Sequence, residues 1–331
     1  MKPIVMKNTL FAIIKVAVTV LLFVYIFRKV DLHQFSITMR NARLDILLAG
    51  FIVLWLGHYI CIFRWRLLMR PLMPVPSLSN LFGIYCIGLF FNLAFPTVIG
   101  GDVVKMYYAG KPSKAYAQSF AATFLDRDAG MLAMMIIACA VIVVHPVRVT
   151  GIPVSIIIWG VFTAFIFGNI AIFAPSCHRK LTDLLHFLRL PKIAHKIDLI
   201  SNAFQISGKH PAGLLVSLLI SLANQLLVIA VTWIMALGLR IHAPLSIFMI
   251  FVPVITLISM IPISLNGMGL REYAFMSLFS SIGIPLASCI ALGLLSSIVT
   301  ILSSLPGGIV YIFFKSKSDA QQLAQFETEF S

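Results

Sequence analysis

Seven charged residues stand where so apolar a chain has little reason to carry any: Asp102 and Lys105, then Asp126, Arg127 and Asp128, then Arg271 and Glu272. Each group follows or interrupts a long apolar run. Ionisable side chains in hydrocarbon are expensive, and those that persist pair with one another or line a path for a substrate or ion. Two of the three groups also sit beside a break in the helical pattern. Pro96 is followed by Gly101 at +5 and Lys105 at +9, and Pro262 is followed by Gly267 at +5 and Arg271 at +9. A polar residue adjoins the glycine each time, Asp102 in the first copy and Asn266 in the second.

The chemistry these residues suit is anion binding. Glycine admits torsions closed to other residues and lets a ligand approach the backbone. Helices resuming near Val103 and Leu270 would present free N–H groups and positive dipole ends. Lys105 and Arg271, read as lying in the first turn of each, would add their charge and complete one site suited to a phosphate. Asp102 also reads as an N-cap, Glu272 as a dipole partner or a mate for Arg271, and Lys105 as a side chain that snorkels to the surface. Arg127 can pair with either neighbouring carboxylate or reach the anion site. Asn92, Asn224 and Gln225 are polar residues in apolar runs, for which interhelical hydrogen bonding is an adequate account.

The elements that must position these groups are membrane helices. Of 331 residues, 60% are hydrophobic and 11% charged, against about 25% charged in soluble domains. The net charge of +14 would suggest nucleic acid in a soluble protein, but here Lys and Arg cluster between apolar runs, as in loops facing anionic lipid. No C-x-x-C pair, H-E-x-x-H, G-x-S-x-G or P-loop occurs, so zinc, disulfide, hydrolase and NTPase chemistry have no support and neither a metal nor a cofactor is expected. Asp126-Arg127-Asp128 contains the D-x-D of nucleotide-sugar transferases, without the soluble domain those enzymes use. Lys2 and Lys7 precede an apolar run as in a signal peptide, but Lys15 interrupts it and no A-x-A site follows; a first spanning helix is the better reading.

Apolar segments fall at roughly 8–27, 44–63, 78–95, 118–144, 152–174, 211–238, 246–262 and 285–313. The piece 175–210 differs. Leu181, Leu184, Leu185 and Leu188 share one face, Pro191 breaks the pattern, and Ile193, Ile197, Ile200 and Phe204 resume it. This predicts two amphipathic helices on the cytoplasmic surface, or a plain connector between halves. Arg64, Arg66, Arg70, Lys105, Lys111 and Lys114 ask to be cytoplasmic, so 78–112 should enter and leave on one side as a re-entrant hairpin. The same counting makes 246–283 a hairpin from the opposite side. The expectation is all-α: a polytopic membrane protein of about six spans plus two opposed re-entrant hairpins in an inverted repeat. One membrane domain would cover 1–313 (halves 1–174 and 211–313, connector 175–210), with a polar tail at 314–331 and both termini cytoplasmic. Arg28, Lys29, Arg40 and Arg43 fall outside in this scheme, against the charge rule.

At these residues the chain resembles a known family. FNLAFPTVIGGDVVKMYYAGK, TFLDRDAG, and IPISLNGMGLREYAF followed by LPGGIVYIF are similar to the flippase-like membrane domain of lysylphosphatidylglycerol synthases. Asn92, Pro96, Gly100, Gly101, Asp102 and Lys105 match the first family motif. Asp126, Arg127 and Gly130 match the second. Pro262, Gly267, Gly269, Arg271 and Glu272 match the third, where Asn266 replaces the first glycine of the usual pair; asparagine tolerates the left-handed torsion better than most. The resemblance implies a lipid-translocating domain of the cytoplasmic membrane, or one acting on lipid-linked intermediates, with anionic head groups as ligands. It does not extend to lysyl transfer, because no acyltransferase-like domain is present in this sequence. Two other roles stay open: a non-transporting subunit presenting a lipid-linked substrate to a glycosyltransferase or synthase, and an intramembrane enzyme using Asp126 or Asp128 with Arg127 on a lipid phosphate.

Overall fold

The computed structural model describes residues 2–94, 100–149, 152–209 and 211–314. Among these the chain is all-α. Its helices are α1 (Lys2–Lys29), α2 (Leu32–Arg40), α3 (Leu44–Met69), α4 (Leu78–Ala94), α5 (Gly100–Gly110), α6 (Tyr116–Val144), α7 (Val154–Phe173), α8 (Pro175–Phe187), α9 (Pro191–Gly208), α10 (Pro211–Gly238), α11 (Leu245–Ser259), α12 (Leu270–Ser280) and α13 (Leu286–Phe314). The strands β1 (Arg148–Val149) and β2 (Ile152–Pro153) form a two-residue ribbon between α6 and α7.

The boundaries follow from local chemistry. Asp31 caps α2 by accepting from the N–H groups of His33 and Gln34, at 2.8 and 3.3 Å. Pro191 and Pro211 occupy the first positions of α9 and α10, where the missing N–H costs nothing. Among the described residues, five helices are long and apolar enough to cross a bilayer: α3, α6, α7, α10 and α13. Their outer faces carry bare aliphatic and aromatic side chains, among them Leu48, Ile52, Ile156, Phe167 and Phe313. Such surface suits lipid and not water. The chain is therefore a multi-pass membrane protein. The sixth expected span coincides with the 28-residue α1, of which the described side chains begin at Lys15.

α3 and α10 form the central antiparallel pair. The Arg43 N–H donates to the Gly238 carbonyl (2.8 Å) at one end, and Arg64 Nη1 donates to Ser221 Oγ (2.9 Å) farther along. α4 and α5 fold into a hairpin that hangs from the far end of α3 and leads into α6. α11 and α12 fold into a second, hanging from the end of α10 that lies beside the start of α3. The Phe248 and Phe279 rings, 5.1 Å apart, mark its open end. Each hairpin packs against a long helix of the other half: α4 on α13, and α11 on α6.

The first hairpin closes where glycine permits. A Cβ on Gly101 would collide with the Gly88 carbonyl oxygen, and one on Gly307 with the Cys86 carbonyl. These contacts let α5 and α13 press directly on the α4 backbone. Close backbone approach through small residues is the main source of helix association in lipid.

The connector departs from its expected register. α8 and α9 do form, joined by His178 Nε2 and Asp198 Oδ1 at 3.0 Å. α9, however, buries Ala194, Ile200, Ala203 and Ser207, while Ile193 stays exposed. It docks under α6 and α10, and Phe204 stacks on Phe173 of α7 at 4.1 Å. In α8, Leu184, Phe187 and Leu188 remain exposed. The small residues Ala194 and Ala203 escaped the apolar pattern because close packing, not side-chain size, selects them.

Gly101→Ala should lower the thermal midpoint of the detergent-purified protein, by an overpacking cost of about 1–3 kcal/mol. Gly168→Ala, whose Cβ would meet nothing within 4 Å, should leave the midpoint unchanged or raise it slightly, as alanine's helix propensity favours. Size-exclusion recovery after heating would measure both.

Candidate functional site

The charged groups of the first and second motifs assemble at one cavity of about 320 Å³. Asp102 is at its centre. Lys105 Nζ lies 2.7 Å from Asp102 Oδ1, and Arg127 Nη2 lies 2.7 Å from Oδ2. Asp102 is 6% exposed, so its carboxylate depends on these cations to remain charged away from water. The aliphatic stem of Lys105 runs over Gly88, where any Cβ would strike it. Its ammonium sits 5.2 Å from the Tyr85 ring centre and 5.5 Å from that of Trp65, a cation–π arrangement on two sides. Trp65 is fixed in turn by Nε1 donating to Thr123 Oγ1 at 3.1 Å.

A second ion pair lines the same cavity. Arg64 Nε donates to Asp126 Oδ1 at 2.7 Å while Nη1 reaches Ser221. Gly130 lies against it: an added Cβ there would sit 3.4 Å from Arg64 Nη1, in ordinary contact. The Gly130 carbonyl accepts from Gln225 Nε2 at 3.0 Å, so α3, α6 and α10 are tied together around the guanidinium. Three cations, Arg64, Lys105 and Arg127, thus face two carboxylates, Asp102 and Asp126, on the cavity wall. The excess is one positive charge.

The third motif builds a neighbouring cavity of about 280 Å³, lined by Asn266 and Arg271 with Thr232, Ser259, Ser296 and Thr300. Arg271 Nη1 donates to Thr300 Oγ1 at 3.4 Å. No carboxylate lies within ion-pair distance of Arg271 among the described residues. The two cavities share Thr256 and Met260 of α11.

Several expectations need correction. Lys105 and Arg271 do not line one pocket; they face adjoining ones that share Thr256 and Met260. Lys105 is the sixth residue of α5 and so lies in its second turn. α5 resumes at Gly100, earlier than expected, with the Gly101 N–H donating to Asn92 Oδ1 at 2.9 Å across the hairpin. Arg127 pairs with Asp102 and not with a carboxylate on its own helix, since side chains adjacent in sequence point to different faces. Glu272 is no mate for Arg271. It is fully buried, accepts from the Gly269 N–H at 2.6 Å as a helix-capping carboxylate, and accepts a short hydrogen bond from Ser297.

Asn92, Asp102, Lys105, Asp126, Arg127, Asn266 and Arg271 therefore reach the cavities. Gly100, Gly101, Gly267, Gly269 and Glu272 shape the surrounding backbone, and Pro262 is exposed. Pro96 lies outside the described residues. The second break, expected to line a cavity along its length, is instead met by α1 at Leu265 and Gly269, while Pro262 and Ile263 are exposed. The Leu265 N–H donates to Thr19 Oγ1 at 3.0 Å, and Gly269 packs on Leu22 and the Thr19 carbonyl. Asn266 adopts the left-handed conformation at φ 47° and Gly267 follows with φ 73°, as a glycine pair there would.

Arg64 is the residue that sequence reasoning misplaced. Within F-R-W-R after an apolar run it read as a cytoplasmic flank. The helix in fact continues to Met69 and buries Arg64 at 4% exposure. The available signal was the apolar Leu67-Leu68-Met69 that follows.

Arg64→Ala should destabilise the protein by about 3–5 kcal/mol, because Asp126 is left buried and uncompensated. The double variant Arg64→Met/Asp126→Leu should recover most of that loss. Denaturation midpoints of the three proteins in one detergent would test this.

The comparisons with curated proteins and with solved structures returned no match. A family model described as lysylphosphatidylglycerol synthase TM region matches residues 12–308. That span takes in all three motifs and both cavities, and the chain belongs to this family.

Proposed function

We propose that the protein is a transporter that moves an anionic phospholipid or lipid-linked intermediate across the cell membrane. The observation that carries this reading is the cavity with three cations and two carboxylates, set among spanning helices and adjoining a second cavity with its own arginine. The family relation supports a role with membrane lipids. A phosphate would neutralise the single excess positive charge, so an anion is the ligand the wall favours.

In this reading the lipid head group enters the cavity while its chains remain in the bilayer. Lys105 and Arg127 release part of their hold on Asp102 to take the phosphate, exchanging one charge-assisted hydrogen bond for another. The head group then passes Thr256 and Met260 to Arg271 and its surrounding hydroxyls. The two hairpins act as opposed re-entrant elements of an inverted repeat, one opening to each side, and alternate access is a rocking of one half on the other. Their open ends lie at opposite ends of the α3–α10 pair, as that symmetry requires. With α9 placed on the cytoplasmic side, where its lysines meet anionic lipid, both termini are cytoplasmic.

Purified protein in liposomes should accelerate exchange of fluorescent phosphatidylglycerol between leaflets. Lys105→Ala and Arg271→Ala should each slow it at least tenfold, the kinetic equivalent of about 1.4 kcal/mol in the barrier. Exchange at the protein-free rate by the wild type would reject transport. Equal rates in the alanine variants would reject the assigned roles.

A further inference from the structure

A third cavity, of about 280 Å³, lies away from both charged ones, where the C-terminus of α3 meets the junction of α9 and α10. Its walls are apolar: Leu67, Leu68 and Pro71 on one side and Leu214 on the other. Gly213 leaves it open, since a Cβ there would meet nothing within 4 Å. Two polar groups break the lining. Arg70 is exposed at the end of α3. Ser207 is 3% exposed, and its hydroxyl has no hydrogen-bond partner. A buried donor left unpaired is costly, so a ligand acceptor there would be rewarded. Lys209, also exposed, lies in sequence between the lining residues Ser207 and Gly213.

The position fixes the kind of ligand. The slot sits at the ends of two spanning helices, Leu44–Met69 and Pro211–Gly238, where the hydrocarbon gives way to head groups. We propose that this slot holds one anionic diacyl phospholipid as a resident ligand. An acyl chain lies along the leucines, the glycerol ester carbonyl accepts from Ser207 Oγ, and the phosphate is held by Arg70. The occupant joins α3, α9 and α10 and so fixes the connector beneath the bundle. It is distinct from any lipid moved through the charged cavities, so the inference stands apart from the transport reading.

Native mass spectrometry of the full-length protein with equimolar phosphatidylglycerol and phosphatidylcholine would test it. The wild type should retain one phosphatidylglycerol with about fivefold preference, the effect expected of one basic residue near an anionic head group. Arg70→Gln should bring that preference to parity. Gly213→Leu, which adds a side chain at the slot from a Cβ position with nothing within 4 Å, should remove the adduct of either lipid, and the ether analogue of phosphatidylglycerol should bind more weakly than the ester. Lys105→Met should leave the adduct in place. The inference is overturned if wild type shows no preference, if Arg70→Gln keeps it, or if the adduct is lost with Lys105→Met and not with Gly213→Leu. Should Gly213→Leu fail to fold, the Arg70→Gln and ether-lipid comparisons decide.

Discussion

A carboxylate among membrane helices survives only if cations reach it, and Asp102 collects two from different elements. Lys105 comes from the same helix, one turn on, and Arg127 from the next helix. Removing water from three charges is costly, and their mutual attraction offsets that cost only when the geometry is close. The distances of 2.7 Å on both sides meet this condition. Much of the surrounding architecture can be understood as what holds those distances: the glycine contact of α5 on α4, the rings of Trp65 and Tyr85 around the ammonium, and the Asn92 cap on α5.

The same constraint explains the second half. Irregular backbone cannot face hydrocarbon, and the turn at Leu265–Gly269 meets its needs from three sources. Thr19 of α1 accepts from Leu265, Glu272 accepts from Gly269, and Asn266 takes the left-handed torsion that closes the turn. The carboxylate of Glu272 is thereby committed to structure, and Arg271 beside it keeps its charge directed into the cavity. One adjacent pair of ionisable residues thus divides its labour, and the division follows from which hydrogen-bond donors lie within reach.

The two cavities are unlike despite the matched motifs. The first contains paired charges with a small excess; the second contains an arginine among hydroxyls. A head group would be exchanged against competing carboxylates in one and bound by hydroxyls and a single cation in the other.

The sequence by itself determined the class: an all-α chain of long apolar helices, two proline–glycine breaks at matched spacing, and a charged cluster in α6. Composition and spacing decide these because lipid demands apolar length and tolerates breaks only where glycine or asparagine can make them. Asn92, Asp102, Lys105, Asp126, Arg127, Asn266 and Arg271 stood out in the sequence as polar residues in or beside apolar runs, and all of them line the cavities. Only the tertiary structure decided the partners. Arg64 reaches Asp126 across 62 positions and Ser221 across 157, and nothing local in F-R-W-R announces it. Arg127 of α6 pairs with Asp102 of α5, Glu272 turns to its own helix start, and Lys105 and Arg271 face separate cavities. Ion pairing depends on distance in space, and helix packing sets that distance.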